Sequence, residues 1–528
     1  MQHHKIFNPL INWRNFRLKL FVQGIVVGIF AGTIVVIFRY ILEKADIWLK
    51  LFYTYVRSGN PEFLAIWAVV LLLIAFLLGS LVRRYPLISG SGIPQVKGAV
   101  SGDLEMNWVT TLLGKFMGGI LAIGAGLSLG REGPSIQLGA VAGQGVSRLF
   151  GSLKVEERIL ITSGASAGLA AAFNAPLAGA IFALEELHKN FSPPVLMSAM
   201  AASLTADFIS KHFFGIQPIF NFHALPILPF KYYGHLIIMG LFIGLLGVLF
   251  NWCLLKIQDI YKSQNIIPPR LYAAVPLLIS IAVGLYFPAC LGGGNRLIDS
   301  ISQGHFGLYI LVILVCVKFL FTIVSYGSGV PGGIFLPMLV IGALSGGIFG
   351  NIAVNFTGVD PGYVNNFVVF AMAGYFTAVV KAPITGSILI TEMTGSFGHL
   401  FPIIMVSMAA YIASDILHGK PIYDELLHRL LLKRDDSYHS SGVKKKILLE
   451  AVVCVGSALD QQQVRDIKWP ANCLLVGIRR GEAQLIPHGD TNIMAGDYLS
   501  VLANEAQAGQ TNRALSVLVE APNKMTLN

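Results

Sequence analysis

The stretch LLGKFMGGILAIGAGLSLGREGPSIQLGAVAGQGV (Leu112–Val146) decides how the chain is read. It is apolar and small-residue-rich, yet it carries an arginine and a glutamate side by side, Arg131 and Glu132, bracketed by Gly130 and Gly133 and followed by Pro134. Charge is costly in hydrocarbon, so an ionisable residue within such a segment is read first as functional. Glycine permits close backbone approach and proline suits the first turn of a helix. GREGP therefore predicts a break followed by a helix start, whose unpaired N–H groups face outward with the positive end of the dipole.

The surrounding composition agrees with a membrane setting. The chain has 528 residues, 54% hydrophobic and only 12% charged, where a soluble domain carries roughly 25% charged residues. Its net charge of +10 would suggest nucleic acid in a soluble protein. Here the basic residues crowd the N-terminus (Lys5, Arg14, Arg17, Lys19) and the polar region after Lys420 (Arg429, Lys433, Arg434, Lys444, Lys445, Lys446). Basic short segments favour the cytoplasmic side, which predicts cytoplasmic termini in a plasma (inner) membrane and no nucleic-acid partner. The apolar stretch Leu20–Ile41 exceeds a signal-peptide core and lacks a cleavage site behind it, so it is read as a first membrane helix. The cysteines, Cys253, Cys290, Cys316, Cys454 and Cys473, are dispersed without metal spacing and predict buried thiols and no metal.

Further along, Phe63–Val82, His235–Ile257 and Leu308–Val324 are uniformly apolar and approach the roughly 20 residues a spanning helix needs. Other runs are interrupted by glycine and proline: YPLISGSGIPQVKGAV, AAFNAPLAGAIFALEE and YGSGVPGGIFLPMLVIG. Broken backbone at membrane depth is tolerated only where protein or a cavity surrounds it. The chain also echoes itself: FNAPLAGAIFALEE (Phe173–Glu186) returns as VKAPITGSILITEM (Val380–Met393), with the breaks at Gly130 and Gly333 upstream of each. Matching broken segments in two halves, here roughly two hundred residues apart, point to a transport site at their interface. Helix N-termini that converge there form an anion site that can also release its ligand.

GSGIP (Gly90–Pro94), GREGP (Gly130–Pro134), GIFLP (Gly333–Pro337) and the later Tyr423, in this order, resemble the CLC family of chloride channels and chloride/proton antiporters over about residues 15 to 430. The resemblance implies an all-α polytopic membrane protein with two inverted-topology repeats and broken helices, assembled as a homodimer with one pathway per subunit. It implies that Ser91 and Tyr423 offer hydroxyls, and Ile334 and Phe335 backbone amides, to a bound chloride. Glu132 is implied as the external gate, holding an anion position when ionised and swinging away when protonated. Glu186 is implied as the internal proton relay of antiporter members, with Glu185 as a possible accessory; channel members usually carry a non-ionisable residue there. A serine at position 91 goes with chloride in this family and a proline with nitrate, and the fluoride-exporting branch departs at both GSGIP and GREGP. Gln95 and Lys97 stand where many relatives carry acidic residues, which bears on the cytoplasmic entrance.

Alternatives stand beside these roles. Arg131 supplies positive potential or forms a structural ion pair, and Glu132 itself reads otherwise as one half of a salt bridge to Arg131. Glu186 reads otherwise as a solvated helix end beside His188 and Lys189. Lys115, Lys318 and Lys381 tune an electrostatic funnel or pair structurally, Glu392 has a packing or subunit-interface role, and His188, His399 and His418 are loop or helix-end residues.

From Lys446 the pattern turns to short alternating strands, ILLEAVVCV, CLLVGIRR, AQLIPH and YLSVLA, with RRGE and MAGD as tight turns. This part resembles the TrkA-C (RCK-C) domain, which implies a small α/β regulatory module that often dimerises and in some relatives binds a nucleotide. HGDT (His488–Thr491) reads as a turn. The expected division is 1–430 membrane domain, 431–445 polar linker, 446–521 TrkA-C-like domain and 522–528 tail. The expected function is exchange of chloride for protons by a non-enzyme without cofactor, the only additional ligand being a possible small-molecule regulator such as a nucleotide. A passive chloride channel of the same fold is the alternative. A potassium-transport subunit lacks its TVGYG filter, and a fluxless membrane sensor would leave the anion motifs idle.

Overall fold

The computed structural model describes residues 9–60, 62–189, 191–220, 222, 225–304, 306–438, 446–471, 473–481, 483–504 and 508–520. Two compact units divide the chain, Met1–Leu431 and Leu432–Asn528. The first unit is helical. Its first half comprises α1 (Pro9–Arg57), α2 (Phe63–Arg84), α3 (Ile93–Ser101), α4 (Trp108–Gly124), α5 (Glu132–Leu149), α6 (Lys154–Phe173), α7 (Pro176–Phe182) and α8 (Pro193–Phe214). The second half continues with α9 (Tyr233–Ser263), α10 (Ala274–Tyr286), α11 (Asn295–Ser302), α12 (Leu308–Gly327) and α13 (Phe335–Thr357). It ends with α14 (Val364–Val380), α15 (Pro383–Thr394), α16 (Leu400–Ile416) and α17 (Ile422–Tyr438). Among the described residues, 8 helices are long and apolar enough to cross a membrane.

Two boundaries differ from the sequence reading. The first helix runs on past Ile41 to Arg57, because neither glycine nor proline interrupts the chain between Gly32 and Gly59. The GIFLP break opens a helix of 23 residues rather than a half-helix, since Pro337 falls in its first turn, where a missing N–H does no harm.

The helices buried on all sides pack through small residues. Gly139 and Gly143 of α5 lie against the backbone of α6 at Gly164 and Leu160, and Gly168 of α6 lies against Ser135, so a Cβ at any of these would strike a carbonyl. Gly342 and Gly346 of α13 meet α14 in the same way at Ala371 and Phe367. Four-residue spacing of glycines gives close helix contact where lipid offers no hydrophobic drive for association.

The two halves are one motif used twice. Asn174 and Lys381 are both left-handed, at φ 51 and 68, and the following Ala175 (φ −130, ψ 77) and Ala382 (φ −121, ψ 79) set up α7 and α15 alike. Lys115 donates to the carbonyls of Ile88 and Gly90 at 2.9 and 2.6 Å. Lys318 donates to those of Cys290 and Gly292 at 3.0 and 2.8 Å. Both ammonium groups are fully buried, so these lysines tie loops to helices, which is the structural alternative. The halves meet as an antiparallel pair: Gly130 N donates to Gly333 O at 2.7 Å and Gly333 N to Gly130 O at 2.8 Å.

The second unit holds a four-stranded antiparallel sheet of order β1-β4-β2-β3, made of β1 (Lys446–Val452), β2 (Cys473–Arg480), β3 (Ala483–Leu485) and β4 (Tyr498–Asn504). Helix α18 (Ala508–Glu520) follows, and its Leu515 and Val519 join Val453, Leu475, Ile478, Leu499 and Val501 in a separate core. Residues 431–438 of the expected linker are helical instead, as the last part of α17; a run of leucine, lysine and arginine has no reason to leave the helix. Residues 439–445 and the expected tail lie outside the described residues.

Candidate functional site

Three helix starts converge, those of α3, α5 and α13. Their backbones come close because glycines stand at the contacts. A Cβ at Gly133 would sit 2.9 Å from Ser91 O, and one at Gly333 would sit 3.2 Å from both Gly130 O and Gly133 N. Gly92 takes a left-handed φ of 93 just before α3. The first-turn amides of three helices thus face a common region, the arrangement that favours an anion.

Glu132 is the first residue of α5 and is 1% exposed. Its carboxylate lies beside the start of α13, since a Cβ at Gly130 would strike Glu132 Oε2 and come within 3.1 Å of Leu336 N, and among the described residues its Oε2 is buried without a hydrogen-bond partner. The Arg131 guanidinium meets Glu43 Oε1 at 3.0 Å, and the same oxygen is held by Arg39 at 3.0 Å. The Glu132 carboxylate therefore makes no direct ion pair with its neighbour in sequence among the described residues, and it lies buried beside the start of α13.

Ser91, Ile334, Phe335 and Tyr423 are all buried. Ser91 Oγ accepts from Ile93 N at 3.2 Å. The Phe335 ring packs on Phe173, Phe182 and Phe376 at centroid distances of 5.2, 6.3 and 4.9 Å. This fixes the start of α13 and keeps its surroundings apolar. Tyr423 lies in the first turn of α17, and its hydroxyl is buried with no partner. An unpaired buried hydroxyl costs on the order of 1–3 kcal/mol.

Glu186 lies in a π-helical turn, Ala183–His188, that prolongs α7; such turns recur at functional positions. Its Oε1 takes a hydrogen bond from Lys97 Nζ at 2.7 Å. Lys97 also pairs with Asp424. The adjacent Glu185 points elsewhere. Its carboxylate accepts from Ile384 N at 3.2 Å, Thr385 N at 2.7 Å and Thr385 Oγ1 at 2.7 Å, capping α15. Glu392 returns the favour by accepting from Leu177 N at 3.2 Å and Ala178 N at 2.8 Å on α7. Each repeat caps the other, and Glu392, expected in a packing or subunit-interface role, caps α7. The solvated-end reading fails for Glu186, which is 4% exposed.

Two residues escaped the sequence reading. Tyr326, at the end of α12, places its hydroxyl against Ser91, and a Cβ at Gly90 would come within 3.1 Å of it. The only hint was its place five residues ahead of the Pro331 break. Lys97 was noticed for its charge, but its pairing with Glu186 is a contact between distant elements.

Among the remaining expectations, Lys381 reaches Asp415 at 3.2 Å and His399 Nε2 lies 3.1 Å from Pro226 O. His418 adopts a left-handed φ of 55 beyond α16. His488 and Thr491 close a turn, with His488 N donating to Thr491 Oγ1 at 2.9 Å. Of the cysteines, Cys316 and Cys454 are exposed, not buried as expected: Cys316 falls on an outward face of α12 and Cys454 just past β1.

Comparison with known proteins agrees with this fold. The voltage gated chloride channel family matches residues 72–415, and the TrkA-C domain family matches residues 448–516. The H(+)/Cl(−) exchange transporter ClcA of Vibrio cholerae serotype O1 (strain M66-2) is 36% identical over 447 residues, covering 81% of this chain and 92% of that protein. ClcA of Citrobacter koseri is 33% identical over 437 residues, covering 79% and 90%. A crystal structure of a slow cyanobacterial Cl−/H+ antiporter superposes with a TM-score of 0.76 at 29% identity, covering 79% of this chain and 99% of the other. A eukaryotic CLC transporter shares the fold, with a TM-score of 0.64 at 22% identity over 79% and 74% of the two chains. With its paired breaks, inverted repeats and attached sheet domain, this membrane-spanning chain belongs to the voltage-gated chloride channel (CLC) family and carries a C-terminal TrkA-C domain.

Proposed function

We propose that the chain is a secondary active transporter that exchanges chloride for protons and catalyses no covalent chemistry. The observation that carries this reading is the Glu132 carboxylate, buried beside the starts of α5 and α13 while Arg131 pairs with Glu43. A carboxylate and a chloride compete for the amides of those helix starts, so chloride arrival favours protonation of Glu132 and deprotonation favours chloride departure. Such reciprocal linkage is coupling. Ser91 and Tyr423 supply hydroxyls to the central chloride, Ile334 and Phe335 supply amides, and Glu186 relays protons from the inner side. The arrangement uses no metal or cofactor. The protein works in the plasma (inner) membrane with both termini cytoplasmic, as a homodimer, and its TrkA-C domain serves as a regulatory module open to a small ligand such as a nucleotide.

The test is flux in liposomes with a chloride gradient and clamped voltage. Protons driven uphill by wild type, with that movement lost and chloride flux kept in Glu186→Gln, support exchange. Chloride flux without proton movement in wild type makes the protein a passive channel.

A further inference from the structure

Four charges alternate from the interior to the surface: Glu186, Lys97, Asp424 and Lys189. Their side chains are 5%, 7%, 33% and 54% exposed. Glu186 Oε1 lies 2.7 Å from Lys97 Nζ. Lys97 pairs in turn with Asp424, whose Oδ2 lies 2.6 Å from Lys189 Nζ. One buried ammonium is thus shared by two carboxylates, one inside and one nearer water. Burying such a string is expensive compared with apolar packing, which argues for a use beyond stability.

The three elements it joins each carry or adjoin a candidate site residue. Lys97 lies one turn along α3 from Ile93, whose amide holds Ser91 Oγ. Asp424 follows Tyr423 in α17. Glu186 sits in the π-helical turn. We propose that Lys97 is a positioning residue that decides when Glu186 takes up a proton and passes that event to the Ser91–Tyr423 end of the chloride site. While Glu186 is ionised, Lys97 is divided between two anions. Once a proton from the cytoplasmic water neutralises Glu186, Asp424 is the anionic partner left to it among the described residues, and α3 is drawn toward α17. Ser91 immediately precedes α3 and Tyr423 lies in α17, so the inner proton and the anion site sense one another. This inference rests on the reading of Glu186 as the proton relay.

The charged groups acting on Glu186 are Lys97 from α3, Asp424 from α17 and Lys189 beyond its own turn. His188 shares that turn, and the Glu185 carboxylate is engaged on α15. Of the other elements packed on it, α7 has no charged residue, the charges of α6 lie in its opening residues Lys154–Arg158, and Asp207 of α8 pairs with Lys211 at 2.7 Å.

The experiment measures proton and chloride flux from the full chain in liposomes against pH on the cytoplasmic side, for wild type, Glu186→Gln, Lys97→Met, Lys97→Arg and Asp424→Asn. Loss of the cation in Lys97→Met is expected to raise the pH of half-maximal proton flux by about one unit or more. Asp424→Asn, which leaves Lys97 to Glu186 alone, is expected to lower it, and Lys97→Arg to stay near wild type. A merely structural lysine would not give shifts of opposite sign. Unchanged midpoints, or shifts in the same direction, overturn the proposal. Should Lys97→Met not reconstitute, an unchanged or raised midpoint in Asp424→Asn overturns it alone. If Glu186→Gln still moves protons uphill, the assignment of Glu186 fails, and this inference fails with it.

Discussion

At Gly130, a methyl group would collide with the Glu132 carboxylate and come within 3.1 Å of the Leu336 amide nitrogen. Gly130→Ala should therefore displace the carboxylate from its place beside α13 and impair proton-coupled exchange by about tenfold or more, as expected when positioning is lost by about an ångström. Gly234 has open space around it, and in Gly234→Ala transport should be unchanged, with stability gained by a few tenths of a kcal/mol to about 1 kcal/mol. Flux assays and thermal unfolding of the purified proteins check the pair. Tyr326→Phe removes the hydroxyl that lies against Ser91. A hydrogen bond of about 1 kcal/mol corresponds to roughly fivefold weaker chloride binding, measurable by calorimetry; unchanged affinity would exclude Tyr326 from the site. Ser91, Glu132 and the GIFLP amides were legible as residues because glycine, proline and charge are conspicuous inside apolar sequence. Tyr326 was not, since an aromatic near a helix end looks like core.

The paired helices α7 and α15 are the element-scale device. Each is short, starts with proline after a left-handed residue, and has its first amides capped by a glutamate from the other repeat. A carboxylate at a helix start contributes about 0.5–2 kcal/mol through capping and dipole. Glu185→Gln and Glu392→Gln should each lower the unfolding temperature while proton coupling survives, unlike Glu186→Gln. Loss of coupling in Glu185→Gln would return that residue to the proton route. The sequence echo announced two matching segments. It did not say that each would cap the other, because capping depends on how the two halves fold together.

At the scale of the whole molecule, the C-terminal unit has its own core of Val453, Leu475, Ile478, Leu499, Val501, Leu515 and Val519. Residues 446–520 expressed alone should thus unfold cooperatively. Burial works to raise the Asp497 carboxyl, but the Arg480 guanidinium at 2.8 Å and the Met494 amide outweigh it and hold the group below its ordinary value of 3.8. A lowered carboxyl stabilises the fold above its unfolded value, and the benefit is lost as pH falls from about 4 toward the folded value. Asp497→Asn should remove that acid-side loss and cost about 2 kcal/mol near neutral pH, in line with hydrogen bonds to charged groups; denaturant melts at both pH values check it.

Sequence by itself determined the membrane setting, the repeat, the glycine–proline helix starts and the sheet domain. Those follow from local composition, periodicity and the backbone demands of glycine and proline. Only the tertiary structure decided that Arg131 forms its ion pair with Glu43, that Lys97 holds Glu186, and that α1 and α13 run long. A side chain chooses its partner among groups brought near by folding, and a helix lengthens wherever neighbours cover it and no breaker intervenes. Adjacency along the chain decides neither.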